Sequence, residues 1–459
     1  MRAKGQGFLA VLVAILAVGG GVVFTRLGPK AQPAATPGGA TSGAWLCPHG
    51  GGTDWKGWLY LANPGTDPVT VRVESLAKGP TDPARTLSVA PGSTVRLDLV
   101  VQAREASTYV EYFGGWVAAS WVTQGGGGQL GIGAEPCAPA AGTTWYVSDG
   151  STRRGEQSYI VVMNPFGTDA VFDVALYTAD RAPIRDSALT DLTLGPRRSI
   201  AIKLNDFAAD EAAVAAEVDV KAGRVAVSSL DLSESSGIRS VLGATGLARA
   251  AYLPVAAGVG QTQLLLVVPG DHGVRFGATL FSTNPPQSAG GLTAVDQNPA
   301  TSTAYPVIVD GPSAVGVRLQ DGDPFAAALR STGPGNDAAA TGGASTPASR
   351  WVVLPTVAGA PARPGIVIAN PSDTPSQVQV VRLPRRDGAV GETLTIDVPA
   401  NGVASVPGDY LSQALDAGVV ITVVDGAPVI ALSASTSLGT EGRSVYGMAT
   451  GIPWPEHAG

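Results

Sequence analysis

The stretch that decides the fold is YIVVMNP, from Tyr159 to Pro165, in which five apolar residues are followed by Asn-Pro. A short apolar run of this length predicts a buried β-strand. Proline suits the end of such a strand because it has no N–H to donate to a neighbouring strand. The run therefore predicts a central strand that stops at Asn164.

The same marker recurs along the chain. WLYLANP ends at Pro64 and GIVIANP ends at Pro371, whereas LLLVVPG has Val268 where Asn is expected. Intervals of 101, 104 and 102 residues separate the four marker positions Asn63, Asn164, Val268 and Asn370. Because the third copy lacks Asn, we assign the motif to structure rather than to ligand binding.

Two further markers repeat with the same period. Proline interrupts strand-like segments at intervals of 105, 103 and 100 residues, at Pro91, Pro196, Pro299 and Pro399. A tight turn before an apolar strand recurs at Gly114–Ala119, Ala222–Val227, Gly322–Ala327 and Gly426–Ala431. Three agreeing markers are the signature of an internal repeat. We therefore predict four tandem modules of about 100 residues each.

Within a module the segments between turn residues are short, and many alternate apolar with polar residues, as in VTVRVE from Val69 to Glu74. Several such runs per module predict an all-β chain of immunoglobulin-like β-sandwiches. Short helical turns are expected at 206–216 and 409–415, where Asp stands at the N-cap position. Residues 284–303 and 333–349 are expected to be a surface loop and a linker.

The predicted organisation follows from the repeat. It comprises a membrane anchor (1–30), a flexible spacer (31–44), module 1 (45–140), module 2 (141–248), module 3 with its linker (249–349) and module 4 (350–459). The spacer consists of small and polar residues without periodicity, which is typical of a flexible segment.

The N-terminus indicates the compartment. Phe8–Phe24 is a stretch of 17 uncharged residues between basic flanks at Arg2, Lys4, Arg26 and Lys30. Its length is at the lower limit for a transmembrane helix. A cleaved signal peptide and a buried core helix are the alternatives, but no clear small-x-small cleavage site follows the run. We predict a single-pass membrane protein whose C-terminal region lies outside the cytoplasm, because the N-terminal amine favours an N-inside orientation.

Cys47 and Cys137 are the only cysteines, and both lie in module 1. An even number of cysteines suits an oxidising compartment, so a disulfide between them is expected. It would close a loop of about 90 residues, which the chain-entropy argument values at about 4–5 kcal/mol. Two buried free thiols are the alternative.

The last residues raise a question about the arrangement of the modules. Modules 2, 3 and 4 open near Trp145, Tyr252 and Trp351, and Ile452–Pro455 looks like the opening of a fifth module. In one interpretation this strand completes module 1 or its neighbour and closes the four modules into a pseudo-four-fold ring. In the other it caps module 4 alone or is a frayed end.

Composition and motifs argue against several function classes. The net charge is −7 and the pI about 5.1, so no basic face for nucleic acid is expected. Two Cys and three His argue against a Cys/His zinc site, and no metal or cofactor is expected.

Sequence motifs of catalysis are also missing. A Ser-His-Asp hydrolase would need one of His49, His272 or His457, but the sequence contains no G-x-S-x-G nucleophile motif. Gly126–Gly131 matches G-x-G-x-x-G without a following helix and is interpreted as a hairpin loop. We predict that the protein is not an enzyme.

Aromatic residues concentrate in module 1, which holds five of the eight Trp. Trp55, Trp58, Tyr112 and Trp116 are the candidate ligand or partner surface, since aromatic side chains stack on sugar rings and anchor protein partners. Packing inside the module is the alternative. The exposure of Trp55 and Trp116 distinguishes the two, because a buried ring cannot stack on a sugar.

The combined pattern of Trp or Tyr, Asn-Pro, Pro-Gly-Ser and Pro-Val-Ile-Ala resembles an uncharacterised family of actinobacterial membrane-anchored proteins with repeated β-sandwich modules. The resemblance covers most of Trp45–Pro455 and includes the N-terminal anchor. A more distant similarity is to the small β-sandwich of sensory rhodopsin transducers, which assembles as a four-fold oligomer. Neither resemblance assigns a catalytic residue to this chain.

These observations predict a non-enzymatic, membrane-anchored extracytoplasmic protein that acts as a structural or interaction module in the cell envelope. Its expected partners are the membrane, through the N-terminal helix, and an envelope protein. The alternative function is binding of a cell-wall polysaccharide, a glycan, through the aromatic residues of module 1.

Overall fold

The computed structural model describes residues 42–255, 261–283, 285–309, 311–357, 362–385, 392–438 and 442–455. The predicted anchor (1–30) and most of the predicted spacer (31–44) lie outside these residues. Within the described ranges, no helix is long and apolar enough to cross a bilayer. The described helices are short: α1 (Gly408–Ser412) and the 3-10 helices Ser187–Leu189, Leu204–Asp206, Ala289–Gly291 and Pro334–Asn336.

The chain is all-β, as predicted, and its described part forms 34 strands in eight small antiparallel sheets of the kind that build β-sandwiches. Two sheets come from each of four consecutive stretches of the chain. We call them stretch 1 (residues 42–136), stretch 2 (144–239), stretch 3 (250–341) and stretch 4 (350–453).

The strands have the following bounds. Stretch 1 contains β1 (Ser42–Cys47), β2 (Lys56–Asn63), β3 (Val69–Leu76), β4 (Arg85–Val89), β5 (Ser93–Asp98), β6 (Ser107–Phe113), β7 (Ala118–Gln124) and β8 (Ile132–Pro136). Stretch 2 contains β9 (Thr144–Val147), β10 (Glu156–Asn164), β11 (Ala170–Tyr177), β12 (Leu192–Leu194), β13 (Arg198–Lys203), β14 (Ala215–Ala222), β15 (Ala226–Ser233) and β16 (Gly237–Arg239). Stretch 3 contains β17 (Ala250–Val255), β18 (Thr262–Val268), β19 (Val274–Phe281), β20 (Gln287–Ser288), β21 (Val295–Gln297), β22 (Thr301–Val307), β23 (Ser313–Gly322), β24 (Ala326–Thr332) and β25 (Ala338–Thr341). Stretch 4 contains β26 (Arg350–Val353), β27 (Ala362–Asn370), β28 (Ser376–Leu383), β29 (Leu394–Val398), β30 (Gly402–Ser405), β31 (Gly418–Gly426), β32 (Ile430–Leu438), β33 (Ser444–Thr450) and β34 (Ile452–Pro453).

The same strand order recurs in each stretch. Stretch 1 has the sheets β1-β6-β3-β4 and β5-β2-β7-β8, and stretch 2 has β9-β14-β11-β12 and β13-β10-β15-β16. Stretch 3 has β17-β23-β19-β20, with β21 also on β19, and β22-β18-β24-β25. Stretch 4 has β34-β26-β31-β28-β29 and β30-β27-β32-β33. The marker strands β2, β10, β18 and β27 are therefore central in their sheets.

The apolar marker runs are explained by burial of both faces of these central strands. In β10, Ile160 and Val162 pack inside stretch 2, whereas Val161 packs with Trp55 and Val101 of stretch 1. Successive side chains of a strand point to opposite faces, so a strand covered on both sides needs apolar residues at every position. The marker run is therefore apolar throughout because one face of the strand packs in the core of its own stretch and the other face packs against the neighbouring stretch.

The marker Asn residues hold the turns that follow them. The Asn164 side-chain amide donates to the carbonyl oxygens of Thr168 (2.8 Å) and Leu194 (3.1 Å), and its Oδ1 accepts from the Phe166 N–H. Asn63 makes the three corresponding bonds. Asn370 binds Thr374 and Ser372 in the same way, but its amide donates to the Ser376 hydroxyl (3.1 Å) in place of a carbonyl oxygen of the edge strand; all three Asn are buried. The structural role expected for this motif agrees with these contacts.

Stretch 3 supplies the missing amide from a different strand. Val268 occupies the marker position, and Gln297 stands where stretch 2 has Leu194, at the end of the neighbouring edge strand. The Gln297 side-chain amide donates to the carbonyl oxygens of Leu266 (3.0 Å) and Thr301 (3.2 Å). An amide donor is therefore retained although its position in the sequence has changed.

Cys47, on β1, and Cys137, directly after β8, form the predicted disulfide, and both are buried. The bridge joins the two sheets of stretch 1, because β1 belongs to one sheet and β8 to the other. The expected disulfide is therefore confirmed in the structure.

One backbone contact repeats between consecutive stretches. The Ser199 N–H, at the start of β13, donates to the carbonyl oxygen of Ala77, the residue after β3 (3.2 Å). The Ser302 N–H, in β22, donates in the same way to Thr178, the residue after β11 (3.1 Å). We call this contact the seam.

The seam recurs between stretches 3 and 4 and again between stretches 4 and 1. A parallel bridge joins Ser282, the residue after β19, to Gly402. The Thr94 N–H donates to the carbonyl oxygen of Pro384, the residue after β28 (2.9 Å), and the Thr94 hydroxyl donates to the carbonyl oxygen of Leu383 (2.7 Å). Stretch 4 therefore contacts stretch 1 as each earlier stretch contacts the next.

The chain's last described strand does not make this contact. β34 pairs with β26 of its own stretch, as in the capping interpretation. Trp454, next to β34, nevertheless stacks on Trp116 of stretch 1 with ring centroids 6.4 Å apart. The Arg350 guanidinium covers Trp454, 3.7 Å from its ring centroid.

The edge strands β8, β16, β25 and β33 meet at the centre, and we call them the inner strands. β8 lies against β16 and β33, and β25 lies against the same two strands. Close approach requires glycine at Gly131, directly before β8, where a Cβ would lie 2.2 Å from the Ile238 backbone nitrogen of stretch 2.

Three sequence expectations need correction. Residues 333–349, expected to be loop and linker, include the inner strand β25, whose four residues are all buried. The loop 284–303 includes β20, β21 and a 3-10 helix. The helical turn expected at 206–216 lies earlier, as the 3-10 helix Leu204–Asp206, and no helix follows it in this described segment before β14 begins at Ala215. The helical turn expected at 409–415 is present as α1. A strand of alanines between Gly, Ser and Thr has too little hydrophobic contrast to be recognised.

Asp337, directly before β25, is a buried carboxylic acid at the inner strands. Its Oδ2 accepts a hydrogen bond from the Tyr446 N–H of β33 (2.6 Å). Burial raises the pKa of Asp337 to about 7, and the bond from Tyr446 offsets only part of that effect.

The Gln297 arrangement predicts a compensating pair of substitutions. Gln297→Leu should lower the free energy of unfolding by about 1–3 kcal/mol, because buried carbonyl oxygens lose their donor. Adding Val268→Asn should recover part of this loss, since Asn164 at the corresponding position of stretch 2 stabilises the turn after its strand through Thr168 and Leu194, although these do not correspond to the carbonyl oxygens that Gln297 binds. Denaturant unfolding of both variants measures the effect. Asn164→Leu, which removes the corresponding side-chain amide from stretch 2, is the matched control. Further destabilisation by Val268→Asn in the Gln297→Leu background would contradict this compensation.

Asp337 predicts a pH dependence of stability. Folded and unfolded states are both protonated at this carboxyl below about pH 4, and between about pH 4 and 7 only the unfolded state releases the proton. Stability should therefore fall as pH rises through this window, by about 2–4 kcal/mol for this group. Asp337→Asn keeps an acceptor for Tyr446 and should flatten the profile. Unfolding midpoints at several pH values from 4 to 8 check this, and parallel profiles for both proteins would refute it.

Candidate functional site

A cavity of about 800 Å³ lies where the inner strands end, and residues from all four stretches or the segments that follow them line it. We call it the shared cavity. The ends of β8 and β33 and the segments after β16 and β25 form part of its lining. Thr245 and Thr346 on its margin are exposed, so the cavity communicates with solvent. Small-molecule sites in proteins have volumes of about 300–1,000 Å³, and the shared cavity falls in this range.

Its lining is mainly apolar and aromatic. Small residues from the segments after the inner strands form much of the wall, together with Trp45, Tyr112, Trp116, Trp145, Tyr146 and Trp351. The indole N–H groups of Trp45, Trp145 and Trp351 donate to backbone carbonyl oxygens within their own stretches. These rings are therefore fixed parts of the wall.

Glu135, on β8, is the only ionisable group other than tyrosine and the disulfide Cys137 among the lining residues. Its side chain is buried, and its Oε1 atom has no hydrogen-bond partner within the described structure. Burial raises the pKa of Glu135 well above its usual range. The Gly342 N–H and the Thr341 hydroxyl, which donate hydrogen bonds to the carboxyl, offset this only in part.

The four predicted aromatic residues do not form one exposed face. Trp55, Tyr112 and Trp116 are 3%, 6% and 5% exposed, and Trp58 is half-buried. The Arg104 guanidinium covers Trp55 at 5.2 Å from its ring, and Trp454 covers a face of Trp116. These four residues therefore do not form one exposed sugar-stacking face, because three of the rings are buried or covered. A ligand or partner role for them stays a prediction.

The structure places the four residues in different surroundings. Tyr112 and Trp116 border the shared cavity, whereas Trp55 packs in the contact between stretches 1 and 2. Sequence reasoning selected two residues of the cavity wall but missed Glu135. No sequence signal distinguishes this acid from the other Asp and Glu residues, because the cavity forms only when four distant segments meet.

The histidines lie elsewhere. His49 is buried, with Nε2 2.9 Å from the Thr108 hydroxyl and Nδ1 2.7 Å from the Gly50 carbonyl oxygen. Burial lowers the pKa of His49 to about 4, and the bond to Gly50 opposes this only in part. His272 is exposed beside Asp323, and His457 lies outside the described residues. Among the residues that the structure describes, no group of three or more His, Cys, Asp or Glu could hold a metal ion.

Solved structures offer only weak similarities. Trypsin-activated alpha-2-macroglobulin from Escherichia coli is 10% identical with a TM-score of 0.12, over 89% of this chain and 34% of that one. This chain thus spans about a third of that protein. A tetra-tandem repeat in the extending region of a large adhesion protein is 14% identical with a TM-score of 0.10, over 86% of this chain and 93% of that one. TM-scores at this level do not indicate a shared fold.

Sequence comparison gives a family. No curated protein matches the chain. The actinobacterial origin and the similarity to sensory rhodopsin transducers are not addressed by these comparisons and stay predictions. The profile of a family of unknown function, DUF5719, matches residues 113–409, which is well over half of the sequence. The chain therefore belongs to this family of unknown function, DUF5719.

Proposed function

We propose that the four stretches are four β-sandwich modules, with boundaries at 45–140, 141–248, 249–349 and 350–459, closed into a pseudo-four-fold ring around the inner strands. The observation that carries this proposal is the fourth seam, in which Thr94 binds Pro384 and Leu383. It repeats the contacts of Ser199 and Ser302 between consecutive stretches. Because this contact joins the last module to the first, every module has a neighbour on both sides.

The ring serves, in this proposal, as a non-enzymatic, membrane-anchored interaction module of the cell envelope. The apolar segment Phe8–Phe24 is the proposed anchor, and the rest of the chain lies outside the cytoplasm. The disulfide Cys47–Cys137 is consistent with an oxidising compartment. Closure favours a scaffold role, since a ring whose modules support one another presents partner surfaces in a fixed geometry.

Glycan binding through the module 1 rings loses its support, because Trp55, Tyr112 and Trp116 are buried. An envelope protein is therefore the partner we propose. At least one exposed large apolar side chain lies in each module, and Phe113, Phe166, Ile308 and Val424 are suitable sites for probing such a contact.

Negative-stain electron microscopy of the full chain in lipid nanodiscs tests the ring. The expected particle is a compact body of four lobes around a centre, next to the disc. A flexible row of lobes with separated ends would contradict closure, because the fourth seam would then not form in solution.

In-cell photocrosslinking tests the proposed function. The full chain should stay in the membrane fraction after alkaline carbonate extraction, and its C-terminal tag should be accessible to protease in spheroplasts. A photoreactive residue at Phe113, Phe166, Ile308 or Val424 should give a discrete adduct with an envelope protein from at least one position. The same residue at Val161, which is buried, is the matched control. A cytoplasmic tag, or no adduct from any of the four positions, would contradict the proposal.

A further inference from the structure

The two ends of the inner strands differ in polarity. Where these strands begin, a pocket of about 60 Å³ is lined by Glu234, Asp337 and Arg443 among mostly Ser and Gly residues. Where they end, the shared cavity has no Lys, Arg or His among its described lining residues. Its acid, Glu135, is 2% exposed, and burial favours the neutral form of the carboxyl. The wall of the shared cavity is therefore apolar and nearly free of charge.

The mouth of the cavity is uncharged as well. The four segments that follow the inner strands each supply exposed lining residues, for example Ala140, Thr245, Thr346 and Pro455. Behind this rim, Leu242, Leu247 and Ala327 are only half-buried, so the wall keeps apolar surface that a bound molecule can cover. Apolar surface in a cavity of this size favours an apolar ligand.

The chain enters the ring at this same end. β1 begins at Ser42, which pairs with Phe113, and the next residue, Gly43, pairs with Tyr112 of the cavity wall. Only residues 25–41 separate β1 from the proposed anchor Phe8–Phe24. A chain of that length spans at most about 60 Å. In the proposed membrane-anchored state, the ring is therefore tethered to the bilayer by the end at which the cavity opens.

We propose that the shared cavity binds the hydrocarbon chain of a lipid taken from the membrane, with the head group left outside the mouth. This inference rests on the proposed anchor, which brings the cavity to the source of its ligand. A hydrocarbon chain needs neither a countercharge nor a hydrogen-bond partner. Its binding removes apolar surface of both the lipid and the wall from water, which is the favourable term that this lining provides.

The lining distinguishes this ligand from two others. A charged organic molecule would lose its hydration in the cavity without gaining an ion pair, since the described lining contains no cation and Glu135 is buried. A soluble apolar molecule would suit the wall equally well but gains nothing from the tether beside the mouth. The position of the proposed anchor therefore favours a membrane lipid over a soluble ligand.

Photolabelling of the full chain in nanodiscs tests the inference. The disc contains phosphatidylcholine with a diazirine at the end of one acyl chain, and peptide mapping after irradiation locates the adducts. Adducts are expected on cavity residues from more than one module, such as Leu242 and Ala327, and on the anchor Phe8–Phe24. Phosphatidylglycerol with the same acyl chains should label the cavity equally well, because the head group stays outside.

One substitution and its matched control test entry through the mouth. Thr346→Trp, at the exposed rim, should reduce labelling of the cavity and leave labelling of the anchor unchanged. The reduction should be about tenfold or more, because filling a site with a bulky side chain costs enough to shift binding by this factor. Thr395→Trp, at an exposed position on the edge strand β29 and outside the described lining, should change neither.

The anchor adducts separate failure of this inference from failure of the proposed anchor. Labelling of the anchor without the cavity would overturn the inference and leave the anchor standing, and cavity labelling that requires the anionic head group would overturn it too. If neither segment is labelled, the anchor fails, and a diazirine-bearing fatty alcohol is added directly to the full chain. Cavity adducts that Thr346→Trp removes would then support the hydrocarbon site and overturn the membrane source. Absence of cavity adducts in this arm as well would overturn both.

Discussion

Each central strand has two apolar faces to bury, and only one of them can be covered from within its own stretch. β10 shows the consequence, because Val162 packs inside stretch 2 while Val161 packs on Val101 of stretch 1. The same constraint acts on β2, where Tyr60 is fully buried and its hydroxyl donates to the Val357 carbonyl oxygen of stretch 4 (3.0 Å). Contact between stretches is therefore a requirement of hydrophobic burial as well as a product of the seam bonds.

Stretch 3 shows which parts of the repeat are constrained. It lacks the marker Asn, yet Gln297 brings an amide donor to the same turn region. It also has Ala251 where stretch 2 has Trp145, and a bulky Phe325 where stretch 2 has Val225. The first exchange keeps a hydrogen-bond donor. The second pairs a smaller residue with a larger one, although Ala251 and Phe325 together are smaller than Trp145 and Val225. Close packing tolerates such paired changes better than either change alone.

The meeting of the four stretches creates an environment that no single stretch contains. The shared cavity is bordered by residues as far apart in the sequence as Trp45 and Pro455. Glu135 acquires its unusual protonation behaviour there, because neighbours from other stretches remove water from its carboxyl. Such a site cannot be recognised as a sequence motif, since its chemistry depends on which distant segments come together in the fold.

The sequence by itself determined the all-β class, the period of the repeat, the structural role of the Asn-Pro turns and the Cys47–Cys137 pairing, because strand periodicity, turn chemistry and cysteine number are local properties of the chain. It did not reveal β25, whose alanines show no hydrophobic contrast, or the burial of Trp55 and Trp116, which depends on Arg104, Trp454 and neighbouring strands. Only the tertiary structure decided the return contact from Pro384 to Thr94 and the burial of the Glu135 carboxyl beside the shared cavity. Both depend on which distant segments come together in space, and that information is not contained in the pattern of any single segment.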